Sequence, residues 1–354
     1  MSKVNFIIEE LNSSGGIKII SEVMNTYADN DYFIDLYIVN NSKQFYILNE
    51  NIRIIFLADS RVKFGVLSIY RTIQIIRSMN DPIFVTNFRI SLLCSLFKRR
   101  SNKNLIYFLI QGMDRISLIR NASSNYFLRV INSVLYLAST LISAKRIYVS
   151  KYLRNSYNRS GIVIPNYCSE VFHDRNVIND FAKDIVIGIV STSSPNKGFM
   201  LFRDIIDCIH QNDEFGGYNF IFKCATQDSI LPRDYSNIVT FESPNNDVQM
   251  KDFYDSCNLI LSLSISEGFN LPIIEAMAAG RVVLSTNDGA SADIIENEVN
   301  GILIENRNAE VFANRILSLI HDKLSFYRIS NNAIECSKRY SLNAFRNSYL
   351  NLLS

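Results

Sequence analysis

The stretch from Leu259 to Glu305 constrains this chain more than any other. Leu259-Ile-Leu-Ser-Leu-Ser-Ile-Ser266 is an apolar run too short for a helix, and Glu267-Gly268-Phe269-Asn270 is a loop containing glycine. Leu271-Pro272-Ile-Ile-Glu275-Ala-Met-Ala-Ala279 reads as a helix opened by proline and closed by Gly280. Arg281-Val-Val-Leu-Ser285 is a second apolar run, followed by the turn Asn287-Asp288-Gly289-Ala290. Strand, loop, helix and strand in that order make a βαβ unit.

In such a unit the loop after the first strand lies at the carboxyl edge of the sheet, where open α/β sheets bind ligands. The helix behind it points free N–H groups at that edge. Pro272 fits the first helical position, because its φ is preset and its missing donor would be unpaired there anyway. Glu267 then falls in the loop and Glu275 in about the first turn of the helix. Ionised, each carboxylate accepts from two hydroxyls at once, as a vicinal diol requires. Taken singly, either acid reads as a solvated loop residue or a dipole partner. Together with Gly268-Phe269, the Ala-rich helix end and the Asn287 turn they read as a ligand site.

Ser264-Ile265-Ser266-Glu267-Gly268-Phe269-Asn270, continued to Glu275, resembles the E-x7-E signature of retaining GT-B glycosyltransferases of the group 1 (GT4-like) family. There it follows a Ser-x-x-Glu-Gly-Phe-Gly pattern, and Asn270 stands here for the last glycine. The resemblance implies an α/β fold of two Rossmann-like doubly wound domains facing a cleft, with a C-terminal helix crossing back to the first domain. The domains fall at residues 1–165 (acceptor) and 166–338 (nucleotide sugar), with the last helix at 339–354.

The rest of the chain carries the same rhythm. Strands are expected at Val4–Ile8, Ile34–Val39, Ile52–Leu57, Ile83–Thr86, Leu105–Ile110 and Arg146–Val149, mostly separated by helical stretches. Pro165 breaks the Ile162-Val-Ile-Pro165-Asn166 run, which resembles the family's Ile-Pro-Asn-Gly hinge with Tyr167 for the glycine. Ile185–Val190 opens the second domain, Asn219–Cys224 and Asn237–Phe241 are strands, and the chain is helical from Asn308. Ser341 is a good cap for a helix running to Leu352. Asp29-Asn30-Asp31 is a D-x-D, read as a solvated turn between helix and strand rather than a metal site.

The resemblance also assigns roles. Lys197-Gly198 matches the family's Lys-Gly, whose lysine holds the donor diphosphate, and a base at a helix N-terminus is unfavourable unless an anion lies between them. Glu267 would bind the sugar and Glu275 the ribose diol, while Gly15, Gly16, Gly268, Phe269, Asn270 and Leu271 would border the donor. The loops Ala225–Asp228 and Glu242–Asn246 would frame the nucleobase. The family's arginine after the strand glycine is Ile189 here, and its first-domain histidine has Gln111 or Asp114 in its place. Retention would follow from front-face attack, with no metal and no cofactor. A nucleotide-sugar epimerase of the same fold, or a non-catalytic nucleotide-sugar-binding partner protein, are the rival readings.

Partners follow from charge and composition. Between Asp81 and Ser160 thirteen Lys and Arg face only Asp81 and Asp114, although the whole chain is only +2, so the remainder is net acidic. A basic half fits an anionic acceptor or membrane surface, and a solvated face fits it equally well. The expected donor is a nucleotide-diphosphate sugar and the acceptor a glycan or polyprenyl-diphosphate-linked saccharide, as in bacterial O-antigen or capsule assembly; no nucleic acid is expected. Six cysteines without a Cys-x-x-Cys pair, acids early in the chain, and a longest apolar stretch (Tyr126 to Ser143) broken by Arg129 are read as cytoplasmic, peripheral at most on the inner face of the membrane.

Overall fold

The computed structural model describes residues 2–11, 15–40, 46–57, 66–98, 105–112, 130, 134, 145–173, 184–228, 235 and 237–354. The chain divides into two compact units, Met1–Asn166 with Phe345–Ser354, and Tyr167–Ala344. Asp114, Arg99, Arg100, Lys103, the Asn12–Ser14 loop and all of Tyr126 to Ser143 except Val130 and Val134 lie outside the described residues.

The first unit contains β1 (Lys3–Ile8), α1 (Gly15–Ala28), β2 (Phe33–Ile38), β3 (Ile52–Phe56), α2 (Val66–Ser78), β4 (Ile83–Val85), α3 (Phe88–Phe97), β5 (Ile106–Ile110), β6 (Lys145–Tyr148), α4 (Lys151–Tyr157) and β7 (Ile162–Val163). Its sheet has the order β3-β2-β1-β4-β5-β6-β7, and every pairing is parallel. Parallel strands are covered on both faces, which is why β1 and β5 are almost continuous apolar runs. The register places Phe6, Phe84 and Tyr107 side by side on β1, β4 and β5, and their rings stack at 5.0 and 4.7 Å. Asp35 on β2 is a charged exception: fully buried, it is met by Lys3 Nζ and Arg53 Nε, both at 2.7 Å.

The second unit contains β8 (Asp184–Val190), α5 (Phe199–Gln211), β9 (Asn219–Ala225), β10 (Val239–Glu242), α6 (Asp247–Asp255), β11 (Leu259–Ser262), α7 (Leu271–Ala278), β12 (Val282–Thr286), α8 (Ser291–Ile294), β13 (Ile302–Ile304), α9 (Ala309–His321) and α10 (Lys323–Ser337). The sheet order is β10-β9-β8-β11-β12-β13, again all parallel. Ile185, Ile187 and Ile189 of β8 join Phe202, Ile205 and Leu261 in one core. The last helix, α11 (Leu342–Leu350), starts on the Ser341 cap, whose Oγ accepts from Ala344 N at 3.3 Å. Its end belongs to the first unit: Tyr27 Oη donates to Tyr349 O at 2.6 Å and Tyr107 Oη to Leu352 O at 3.0 Å.

Several readings change. Ile162–Val163, read as a hinge run, also pairs with β6 as an edge strand, and β13 is a strand that no sequence signal singled out. α7 begins at Leu271, so Pro272 is its second residue and Glu275 lies in the second turn. Lys98, counted among the surface cations, is 2% exposed; its ammonium donates to Asp81 O at 3.0 Å, and burial lowers its pKa to about 8. Asp29-Asn30-Asp31 lies between α1 and β2, away from the carboxyl edge, and Asp29 accepts from Asn49 Nδ2 at 2.7 Å.

Candidate active site

β8 and β11 are neighbours in the second sheet, but the chain leaves them in opposite directions, β8 towards β9 and β11 towards β12. Their loops, 191–198 and 263–270, therefore diverge from adjacent strand ends. That topological switch point is where open α/β sheets bind ligands.

The two loops are locked together. Gly198 has φ 75°, and a Cβ there would lie 2.1 Å from Leu263 O, so only glycine lets the loops approach this closely. Ile265 N donates to Asn196 O at 2.7 Å, and Ser191 Oγ to Lys197 O at 3.0 Å. Lys197, at the end of a 3-10 turn (Pro195–Lys197) just before α5, is thereby brought to Glu267: Nζ and Oε1 are 2.5 Å apart. Both side chains are partly open to solvent, 39% and 25% exposed. The pair is available to a ligand and is not sealed in the core.

Glu267 is braced from behind by the turn after β12. Ala290 N donates to Glu267 O at 3.0 Å, Thr286 Oγ1 to Ser264 O at 3.1 Å, and a Cβ on Gly289 (φ 65°) would strike Glu267 N at 2.5 Å. Asn270 holds φ 70°, ψ 62°, the left-handed conformation that glycine serves elsewhere, and asparagine is among the few other residues that adopt it readily. Its side chain turns inward and donates to Ser262 Oγ at 2.8 Å. The departure from the glycine pattern therefore keeps the backbone turn and adds a buried hydrogen bond.

The remaining sequence-predicted residues sort by what they expose. The Phe269 ring is buried edge-on against Tyr340, 5.8 Å between centroids, so the backbone amide is what it offers; Gly268 is buried too, and Leu271 is half-buried. Glu275 on α7 accepts from Tyr254 Oη of α6 at 3.0 Å. Burial first, then the Glu275 charge, pushes the Tyr254 phenol well above its ordinary range, so it stays a donor. A cavity of about 70 Å³ beneath these loops is lined by Ser191, Lys197, Ser262, Ser264, Asn270 and Pro272. A wider hollow of about 520 Å³ runs along the edge strand β13 and α9 and is lined by neither Lys197 nor Glu267.

Within the first unit, Gly15 and Gly16 open α1, and a Cβ on Gly16 would sit 4.0 Å from Gln111 Cβ. Both amide atoms of Gln111 are buried without a hydrogen-bond partner. The loops assigned to the nucleobase are tied to one another and to the Lys197 loop: Thr226 N donates to Glu242 O at 2.8 Å, and Ser193 N to Asp228 Oδ2 at 2.8 Å. Among the described residues no group of three His, Cys, Asp or Glu side chains could hold a metal.

Sequence reasoning missed Tyr254 and Arg281. Arg281, 2% exposed, donates to Ala279 O and Cys257 O, both at 2.9 Å, and so ties the end of α7 to the start of β11. Its place directly after Gly280 is the only local signal of this tie.

Residues 223–336 match the family model "Glycosyl transferases group 1". The second unit is a group 1 glycosyltransferase domain. An uncharacterized glycosyltransferase of Methanocaldococcus jannaschii is 25% identical over 237 residues, 66% of this chain and 63% of that protein. A Campylobacter jejuni N,N'-diacetylbacillosaminyl-diphospho-undecaprenol alpha-1,3-N-acetylgalactosaminyltransferase is 21% identical over 263 residues, 70% of this chain and 64% of that protein. The chain thus spans a little less than two thirds of these relatives. The crystal structure of Anabaena HepE in complex with UDP and glucose superposes with a TM-score of 0.74 at 16% identity, covering 100% of this chain and 99% of that one. The group 1 domain and the first unit together therefore have the GT-B fold.

Proposed function

We propose that the chain is a retaining, metal-independent glycosyltransferase that moves a hexosyl-type sugar from a nucleotide-diphosphate sugar to a glycan or lipid-linked saccharide. The observation that carries this reading is the Lys197–Glu267 pair, held at the switch point of the group 1 domain beside the start of α7. One ammonium N–H is used on Glu267, and two more can meet diphosphate oxygens together with the first amides of α7. Glu267, fixed from behind, would hold the sugar's hydroxyls and stabilise positive charge near the anomeric carbon; Glu275 would hold the ribose diol. The bond from the anomeric carbon to the diphosphate breaks as the acceptor oxygen bonds on the same face, and the acceptor proton passes to the departing phosphate. In the first unit Gly15 and Gly16, with Gln111 or Asp114, are the residues that the family resemblance assigns to the donor and its sugar.

Relatives and neighbours support the substrate class: the Campylobacter protein is named for a diphospho-undecaprenol acceptor, and a solved lipopolysaccharide-biosynthesis enzyme, WaaG, shares the fold. Assembly of a bacterial surface polysaccharide at the inner face of the membrane fits both and fits the basic first unit, in which Lys98 plays no part. The test is transfer from UDP- and GDP-sugars to undecaprenyl-diphosphate saccharides in excess EDTA, with the product's anomeric configuration read by NMR. A product of retained configuration is expected. Transfer that chelation abolishes and Mg²⁺ restores would overturn the metal-free mechanism, and no transfer under either condition would overturn the enzyme reading.

A further inference from the structure

We infer that Tyr254 is a positioning residue that orients the Glu275 carboxylate for a ligand diol and so sets the preference of the group 1 domain for ribonucleotides. The inference rests on the reading of Glu275 as the diol-binding group.

Three observations carry it. Tyr254 Oη donates to one named oxygen of Glu275, Oε2, at 3.0 Å, and this bond crosses from α6 to the second turn of α7. A carboxylate on a helix can rotate about three side-chain bonds, and a hydrogen bond from a fixed neighbour removes most of that freedom. Tyr254 is itself fixed: it is fully buried, with Phe172 edge-on at 5.9 Å and Phe253 at 5.7 Å. Finally, the helix that presents Glu275 is pinned on that same side, because Cys168 Sγ, 3.8 Å from Ile274 O, packs under its first turns. The phenol thus belongs to a rigid wall, whereas Glu275 is half-buried and reaches the surface. A tyrosine needed only to fill this space would leave its hydroxyl to a backbone carbonyl or water. Here the hydroxyl is given to the one carboxylate on α7.

A diol makes two hydrogen bonds to a carboxylate only when both oxygens lie in the plane of its two hydroxyls. Loss of orientation should therefore weaken binding of a ribonucleotide and leave a nucleotide without the diol untouched. The experiment is calorimetric titration of the whole chain with UDP and GDP. Whichever binds more tightly is then compared with its 2′,3′-dideoxy counterpart, for wild type, Tyr254→Phe, Glu275→Ala and the double variant. Tyr254→Phe keeps the ring among Phe172 and Phe253, and its thermal midpoint is recorded alongside. The expected result is that wild type prefers the ribonucleotide, and that Tyr254→Phe lowers ribonucleotide affinity about fivefold to tenfold. Affinity for the dideoxynucleotide should stay within about twofold, and the phenylalanine change should have no further effect once Glu275 is alanine. Equal loss for both nucleotides would show a purely structural tyrosine, and no loss for either would show that Glu275 needs no positioning. Either outcome overturns this inference while leaving the donor site intact. If wild type binds neither nucleotide, or binds ribo- and dideoxy- forms alike, the assignment of Glu275 falls first and this inference with it.

Discussion

At position 270 one side chain meets two demands, a left-handed backbone and a buried hydroxyl in need of a donor. Asn270→Gly should keep the turn and lose only the Ser262 contact, about 1 kcal/mol. Asn270→Ala loses that contact and also puts at φ 70° a residue that tolerates the left-handed region less well than asparagine, a further cost of about 1 kcal/mol; urea unfolding of both variants checks the order. Glu267→Gln should lower turnover by about two orders of magnitude and change donor affinity much less, because in the proposed mechanism its charge matters most in the transition state; steady-state kcat and KM decide this. Asp35 gives a prediction in pH. Burial alone would raise its carboxyl, but hydrogen bonds and charges from Arg53 and Lys3 outweigh that and hold it below the ordinary 3.8. The unfolded chain then takes up the proton first. Its contribution is complete above about pH 4 and is lost as pH falls through the folded value, so Asp35→Asn should flatten the acid side of the urea-midpoint profile. Glu267, Lys197 and Asn270 were legible because each sits in a short spacing of punctuating residues. Tyr254 and Arg281 were not, because their partners lie 21 and 24 residues away and are chosen by packing.

Between elements, the contact that matters most is the one that lets the β8 and β11 loops touch. Gly198→Ala puts a methyl where Leu263 O already stands and strains a φ of 75°, so the loops must part. The expected cost is about 2 kcal/mol or more, together with loss of nucleotide binding, because Lys197 then no longer meets Glu267; unfolding and calorimetry on the same preparation read both. Most strands could be placed to within a residue or two, because parallel strands covered on both faces leave unbroken apolar runs. β7 and β13 were not: Ile162-Val-Ile reads as the hinge run before Pro165, nothing in the sequence marks Ile302–Ile304, and pairing with β6 and β12 is what makes them strands. The opposite holds for α11, whose Ser341 cap is a local signal visible without the fold.

For the whole molecule the consequence is two separate cores on one chain. One is built on the Phe6, Phe84 and Tyr107 ladder, closed by Tyr27 and the C-terminal Tyr349; the other is built on β8, α5 and α9. Two cores of this size need not melt together, and a ligand held by one stabilises that one. Differential scanning calorimetry should therefore resolve two transitions. A nucleoside diphosphate at 100 times its Kd should add about 2.7 kcal/mol to the group 1 domain and move only its transition. Tyr349→Ala should move the other, since it removes a buried ring of the first unit at about 3 kcal/mol or more. Both perturbations shifting a single transition would mean that the units unfold as one, and that the proposed donor site and the aromatic ladder share a stability although no core residue is common to them.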